Sequence, residues 1–568
     1  MYEKIIPIVA LATALAHTLP AQQAEPLFTD ESAAAFFGAS PNLATESRKY
    51  AKEALEEYNG KKFAEAYAKL VVSKYFSNLA KFGKNIEPEI RAKLLASPEL
   101  LDDFVSVLSP EDDAVKVYDI LANIAKSSPE KFAKYPKLAI AVAVVFDAPP
   151  PKDWPHGQVS EKLLPRKLPD PVARFNQIAD MRERGKFLLP TEKMSIEELK
   201  YLVPSTATED DAQWAQKSVS VSLSNLPKLY PSIAYDHGRL NRKQFDWTGE
   251  DYRLKTIKAK GGICVDQAYY TMEVAKARGV PAFILSGAGS DGFHAWVAYM
   301  QRPGAWNFSV GRYENARFVT GKTYDPQTWK DATDHALESL REGFRNGAKY
   351  KLSEIHCAFA EVFAMRENFA KALVCAKAAV VAEPRNADAW NKIFVYLEKL
   401  GKSEREICQN YEFAVKAFSK YPDTDAEFRR KLADIYRKNG DISAAKRLTT
   451  SIILKTKNAR PDIAMEFARR ELEIDIQEGT AEKLLTTYKR LLGTFKNDSA
   501  VAIGGITIPI INTVLKSDKY AAARDLMKAT RQVLKPSKDS LIKPTLDDID
   551  RQLETIIPKI EADKKKSE

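Results

Sequence analysis

The chain has 568 residues, too many for one hydrophobic core and suited to three or four domains. Hydrophobic residues make up 45% and charged residues 29%, a globular balance that excludes wholesale disorder. The net charge of +10 is spread over 86 basic and 76 acidic residues, which describes a solvated surface and argues against a nucleic-acid partner.

The first residues, MYEKIIPIVALATALAHTLPAQQ, carry Lys4, an apolar run from Ile5 to Leu15 and small residues up to Ala21. This layout predicts an export signal over 1–21, cut after Ala21, and a mature protein that is periplasmic, cell-surface or secreted. No later stretch approaches the ~18 uninterrupted apolar residues of a membrane span, so no integral membrane segment is expected.

Residues 30–150 are rich in Ala, Leu, Lys and Glu at helical spacing and read as a helical domain. Within it, Phe63 and Ala66 behind Gly60 suggest the second helix of a helical hairpin. The prolines of DAPPPKDWP stop the helices and open a mixed linker over 151–204. Residues 205–345 read as an α+β domain. Ser218 to Leu226 alternates as a half-buried strand or extended segment, and GGICVDQAYYTMEVAKARGVP (Gly261 to Pro281) reads as a helix opening near Cys264. PAFILSG then reads as a buried strand, HAWVAYM as an alternating strand and WNFSV as its partner across an RPGA turn.

Over 350–560 the pattern returns to helices. ENFAKALVCAKAAVVAEPRNADAW places Phe369, Ala372, Ala376 and Ala379 on one face, ahead of Pro384 and Trp390. Related fragments recur at Ile442 with Ala445 and at Tyr520 with Ala523, 73 and then 78 residues on. These spacings are about two units of ~34 residues, and the segment resembles a tetratricopeptide-like α-solenoid that presents a surface to a protein partner. The fold class expected is therefore multidomain and mostly α.

Cys357, Cys375 and Cys408 fall in amphipathic helical segments, where buried free thiols or a helix-to-helix bridge are expected. Cys264 differs. Gly261 and Gly262 allow a tight turn and leave room for a substrate carbonyl, and a helix N-terminus favours thiolate over thiol. A nucleophile needs a base. His294 opens the alternating strand beside a glycine-rich loop, where a side chain is both held and accessible. His156, His237, His335 and His356 show no ligand spacing, so neither a metal nor a cofactor is expected. GAGSDG (Gly287 to Gly292) mimics a dinucleotide fingerprint but leads into a strand, without the helix N-terminus that a pyrophosphate needs.

Cys264 after small residues, Arg278 to Ala282 (RGVPA) before a strand, and His294 to Trp296 (HAW) on the next strand together resemble the transglutaminase-like, papain-like cysteine-enzyme superfamily. The resemblance covers only this central segment. It implies a Cys264 nucleophile, a His294 base and a third residue that orients the imidazole, acting on a peptide or protein substrate. Members include transglutaminases, peptidases, deglycosylating amidases and inactive proteins.

The family's aspartate follows a tryptophan by about four residues; Trp306 fits, but the expected position holds Val310. Asp325 in TYDPQT matches the family's aspartate–proline context and is favoured, with Asn315 the alternative. A simple hairpin pairs His294 with about Tyr313 and excludes Asn307, some 20 Å along the ladder at ~3.3 Å per residue. Gln267, one turn past Cys264, stays outside the catalytic set. Phe245, Trp247 and Tyr252 resemble the family's groove-lining aromatics, although aromatics near an element start are more often core. The expectation is an exported thiol enzyme acting on amide bonds; the alternative is an inactive scaffold that binds peptides or envelope proteins through its helices.

Overall fold

Prolines open many of the helices, as their fixed φ and missing N–H suit a first turn: Pro88, Pro98, Pro129, Pro136 and Pro171 each stand there. The computed structural model describes residues 27–58, 63–83, 86–289, 292–312, 321–458, 460–537 and 542–567. The expected export signal and Asn315 lie outside them. Among the described residues no helix is long and apolar enough to cross a membrane.

The chain is mostly helical, with one five-stranded antiparallel sheet. Packing divides it into two compact units, the first running in the main through Tyr396 and the second from Leu397 onward.

The first unit begins with helices from Asp30–Gly38 to Pro136–Phe146, and Leu43–Glu57 pairs with Phe63–Phe82 as the expected hairpin. Pro136–Phe146 is buried all round from Leu138 to Val145, so this helix is the centre of the block. The proline-rich stretch ends the block, and the next helix starts at Pro171. Val219 to Ser222 is extended but outside the sheet, and a 3₁₀ turn takes over at Leu223.

The strands are β1 (Ala282–Gly289), β2 (Gly292–Arg302), β3 (Ala305–Val310), β4 (Lys322–Tyr324) and β5 (Asp331–Thr333), in the order β3-β2-β1-β4-β5. β2 meets β3 with Arg302 opposite Ala305, Tyr299 opposite Asn307 and Val297 opposite Val310, with bulges between. β2 is not half-exposed: Ala295 to Met300 are all buried, so this strand has cover on both faces. Tyr201, Phe283, Trp306 and Phe308 interlock through ring contacts.

The first unit extends past the expected boundary at 350. Helix Ala348–Met365 packs on the first helices, with Tyr58 Oη 2.8 Å from His356 Nδ1 and the Phe359 ring 4.7 Å from that of Tyr58. Trp329 stacks edge-on to Trp154 at 5.3 Å and donates to the Ala148 carbonyl, so the helical block, the linker and the α+β segment share one unit. In helix Phe369–Ala382 the small residues Ala372, Ala376 and Ala379 are buried, which allows close helix approach.

The second unit is helical in its described residues; its first helices pack in succession, Ala481–Thr494 packs on Tyr520–Leu534, and the core includes Phe467, Tyr488, Ile506 and Leu526. The recurring fragments open helices Ile442–Thr456 and Tyr520–Leu534. Ala445 and Ala523 are buried as their pattern requires, whereas Ile442 is 57% exposed.

Candidate active site

Gly261 has φ +80°, and a Cβ there would stand 2.5 Å from the Ala234 carbonyl oxygen. At Gly262 a Cβ would collide with the Asp266 side chain, which folds back over the turn. The pair thus lets the chain run beside Ala234–Asp236, with Gly262 N–H donating to Ala234 and Asp236 N–H donating to Gly262. Helix Cys264–Ala277 starts immediately afterwards, as the sequence predicted.

Asp266 holds that start in place. Its Oδ2 accepts the Ile263 N–H at 2.8 Å and the Arg239 guanidinium at 2.7 Å, and its Oδ1 accepts the Tyr252 hydroxyl at 2.8 Å. Asp266 and Arg239 are both fully buried, and burial pushes the Asp266 carboxyl up against the pull of Arg239. Arg239 also donates to the Phe245 carbonyl, and Tyr252 lies 3.0 Å from His156 Nε2. Every residue from Val265 to Ala277 is buried, whereas Cys264 at the tip is partly exposed.

The Ala295 N–H faces the Cys264 sulfur and, with the N–H groups of Val265 and Cys264 itself, favours the thiolate. Burial outweighs them and pushes the thiol above its ordinary value. The sequence-based expectation of a lowered thiol pKa is therefore corrected: the helix tip favours thiolate locally, but desolvation wins. All four cysteines are free thiols, and Cys357, Cys375 and Cys408 are buried.

Ala295 follows His294 directly, so the sulfur meets β2 one residue from the imidazole. His294 Nε2 lies 2.6 Å from the Gly311 carbonyl. A carbonyl only accepts, so Nε2 carries the hydrogen and the basic lone pair of the neutral ring sits on Nδ1. Burial lowers the His294 pKa, partly offset by the Gly311 carbonyl, and keeps the ring neutral near pH 7.

Asp325 is not brought to the imidazole. It follows β4, and β1 lies between β4 and β2. Its Oδ1 accepts the backbone N–H of Gln327 at 2.9 Å and of Thr328 at 3.0 Å, closing its own turn. The aspartate–proline context marks a turn, and a backbone carbonyl stands where a carboxylate was expected. Val310 packs in the core opposite Val297, and the next residue, Gly311, supplies that carbonyl. Asn307 pairs with Tyr299 and caps Ser309, away from the site as expected. Gln267 is buried and donates to the Ile233 carbonyl. Trp247 and Tyr252 are core, while Phe245 is 47% exposed.

Tyr230 escaped the sequence reading. Its hydroxyl donates to the Ala295 carbonyl at 2.7 Å and stands 3.3 Å from the Cys264 carbonyl. Nothing in PKLYPS singles it out. Asp266, three residues past the N-cap Ile263, carried only the weak signal of an acidic residue in a first helical turn, where its carboxylate reaches back to the Ile263 N–H. Gly311 after a strand carried the ordinary signal of a positive φ, here +84°.

The other histidines among the described residues serve other contacts: His156 faces Tyr252, His356 faces Tyr58, His335 Nε2 lies 3.4 Å from Asp334, and His237 opens a short helix. Among the described residues no three His, Cys, Asp or Glu side chains gather as a metal-binding group. No model of a known protein family matches this chain, and no curated protein matches it either.

Proposed function

We propose that the chain is a thiol enzyme acting on amide or peptide bonds, with Cys264 as nucleophile and His294 as base. One observation carries the reading: a partly exposed cysteine at the tip of an otherwise buried helix, its sulfur facing the N–H of the residue next to His294. The resemblance of the Cys264, RGVPA and HAW segments to transglutaminase-like enzymes supports it, as does the neutral His294 ring.

In this reading His294 Nδ1 takes the thiol proton as the sulfur bonds to the substrate carbonyl carbon. The imidazolium returns the proton to the departing amine as the C–N bond breaks, leaving a thioester on Cys264. Water or a second amine resolves it. The Gly311 carbonyl holds Nε2–H and so fills the orienting role. The leader-like composition of the first 21 residues supports an activity outside the cytoplasm, and the helices from Leu397 onward are the proposed surface for a protein partner.

A non-catalytic scaffold is the second reading, favoured by the burial that raises the Cys264 thiol. Iodoacetamide at pH 7 separates the two. The enzyme reading expects Cys264 to be alkylated far faster than Cys357, Cys375 and Cys408, with the advantage lost in His294→Ala. Equal slow labelling of all four would establish the scaffold. Burial pushes the Cys375 thiol to about 12 and the Cys357 thiol up as well, so the comparison has a quiet background.

A further inference from the structure

We infer that Tyr230 is a positioning residue that sets the Cys264 sulfur against the His294 strand, an inference that rests on the thiol-enzyme reading. Three parts must coincide for that chemistry: the helix tip that carries the sulfur, the strand that carries the imidazole, and the carbonyl that holds Nε2. They come from three separate stretches of chain, at Cys264, His294 and Gly311.

Tyr230 touches all three. Its hydroxyl donates to Ala295, directly after His294, and lies within reach of the Cys264 carbonyl. Its ring lies over Gly311, where an added Cβ would stand 2.5 Å from the ring carbons. The described β2–β3 register reaches only Val297 opposite Val310. Beyond it, the Ala295 carbonyl is taken by the Tyr230 side chain.

A phenylalanine would fill the same buried space without a polar atom to desolvate. The hydroxyl adds a fixed distance between the helix tip and the strand. A single hydrogen bond of this kind adds little net stability to the fold, because the unfolded chain makes it to water instead. A nucleophile displaced by ~1 Å, in contrast, costs on the order of a hundredfold in rate. The hydroxyl therefore matters more to the reaction than to stability.

The test uses the full chain with Tyr230→Phe, which keeps the ring on Gly311 and removes the hydroxyl. The second-order rate of Cys264 alkylation by iodoacetamide is followed from pH 5 to 9 beside the thermal midpoint. The inference expects a rate at least about tenfold lower, with a shifted pH profile, at a midpoint within a few degrees of the parent. A lowered midpoint with unchanged rate and profile would show ordinary packing and overturn it.

Should Tyr230→Phe fail to fold, a fluorotyrosine at 230 keeps the ring and makes the hydroxyl a stronger donor. An unchanged rate and profile there overturns the inference as well, whereas a changed profile supports it. If the parent Cys264 shows no advantage over the other cysteines and His294→Ala changes nothing, the enzyme reading itself fails and takes this inference with it. A reactive, His294-dependent parent beside an unaffected Tyr230→Phe removes the positioning role alone.

Discussion

His294 Nε2 donates its hydrogen to the Gly311 carbonyl at 2.6 Å, so the ring is oriented by backbone. A carbonyl fixes the tautomer as a carboxylate would, but it brings no full negative charge to stabilise an imidazolium. Burial then favours the neutral ring and the neutral thiol alike.

The resting pair is expected to be thiol and imidazole, without a preformed ion pair. Thiolate absorbance near 240 nm should be absent at pH 7 and appear only above the ordinary cysteine range of about 8.5. Because the folded His294 pKa is depressed, the base form persists as pH falls below ~6.5 and is lost only at lower pH, taking Cys264 reactivity with it. A thiolate signal at pH 7 that disappears in His294→Ala would refute the neutral pair.

Asp325→Ala should leave the Cys264 labelling rate unchanged. It removes the acceptor for two turn N–H groups and should cost about 1 kcal/mol, read from urea denaturation. A loss of labelling at constant stability would return Asp325 to the catalytic set.

Arg239→Met should destabilise the first unit by about 3–5 kcal/mol, since it strands the Asp266 carboxylate in a fully buried place. Adding Asp266→Asn should recover part of that loss, because the uncompensated charge goes with it. The double-mutant cycle, measured by chemical denaturation, is expected to show strong coupling. Additive losses would mean that the two groups do not act as a pair.

The helix start at Cys264 was legible because its causes sit within a few residues: two glycines that admit the turn and Asp266 folding back on Ile263. The hairpin of β2 and β3 was legible for the same reason, while the expected pairing of His294 with Tyr313 lies outside the described residues. Asp325 misled because an aspartate before proline signals a turn whether or not it faces a histidine. The partners of helix Ala348–Met365 were not legible, because it looks like the next helices in periodicity while Tyr58 and Phe63 lie some three hundred residues away.

What the sequence determined by itself was therefore local: where the Cys264 helix begins, which strand bears the histidine, and where helices follow one another. Those outcomes depend on backbone freedom and polar groups close along the chain. Only the tertiary structure decided that Gly311 orients the imidazole, that Tyr230 bridges to Ala295, and that burial outweighs the helix tip at the Cys264 thiol. Each of these depends on which distant groups are packed together and how much water they exclude, and no short window of residues carries that information.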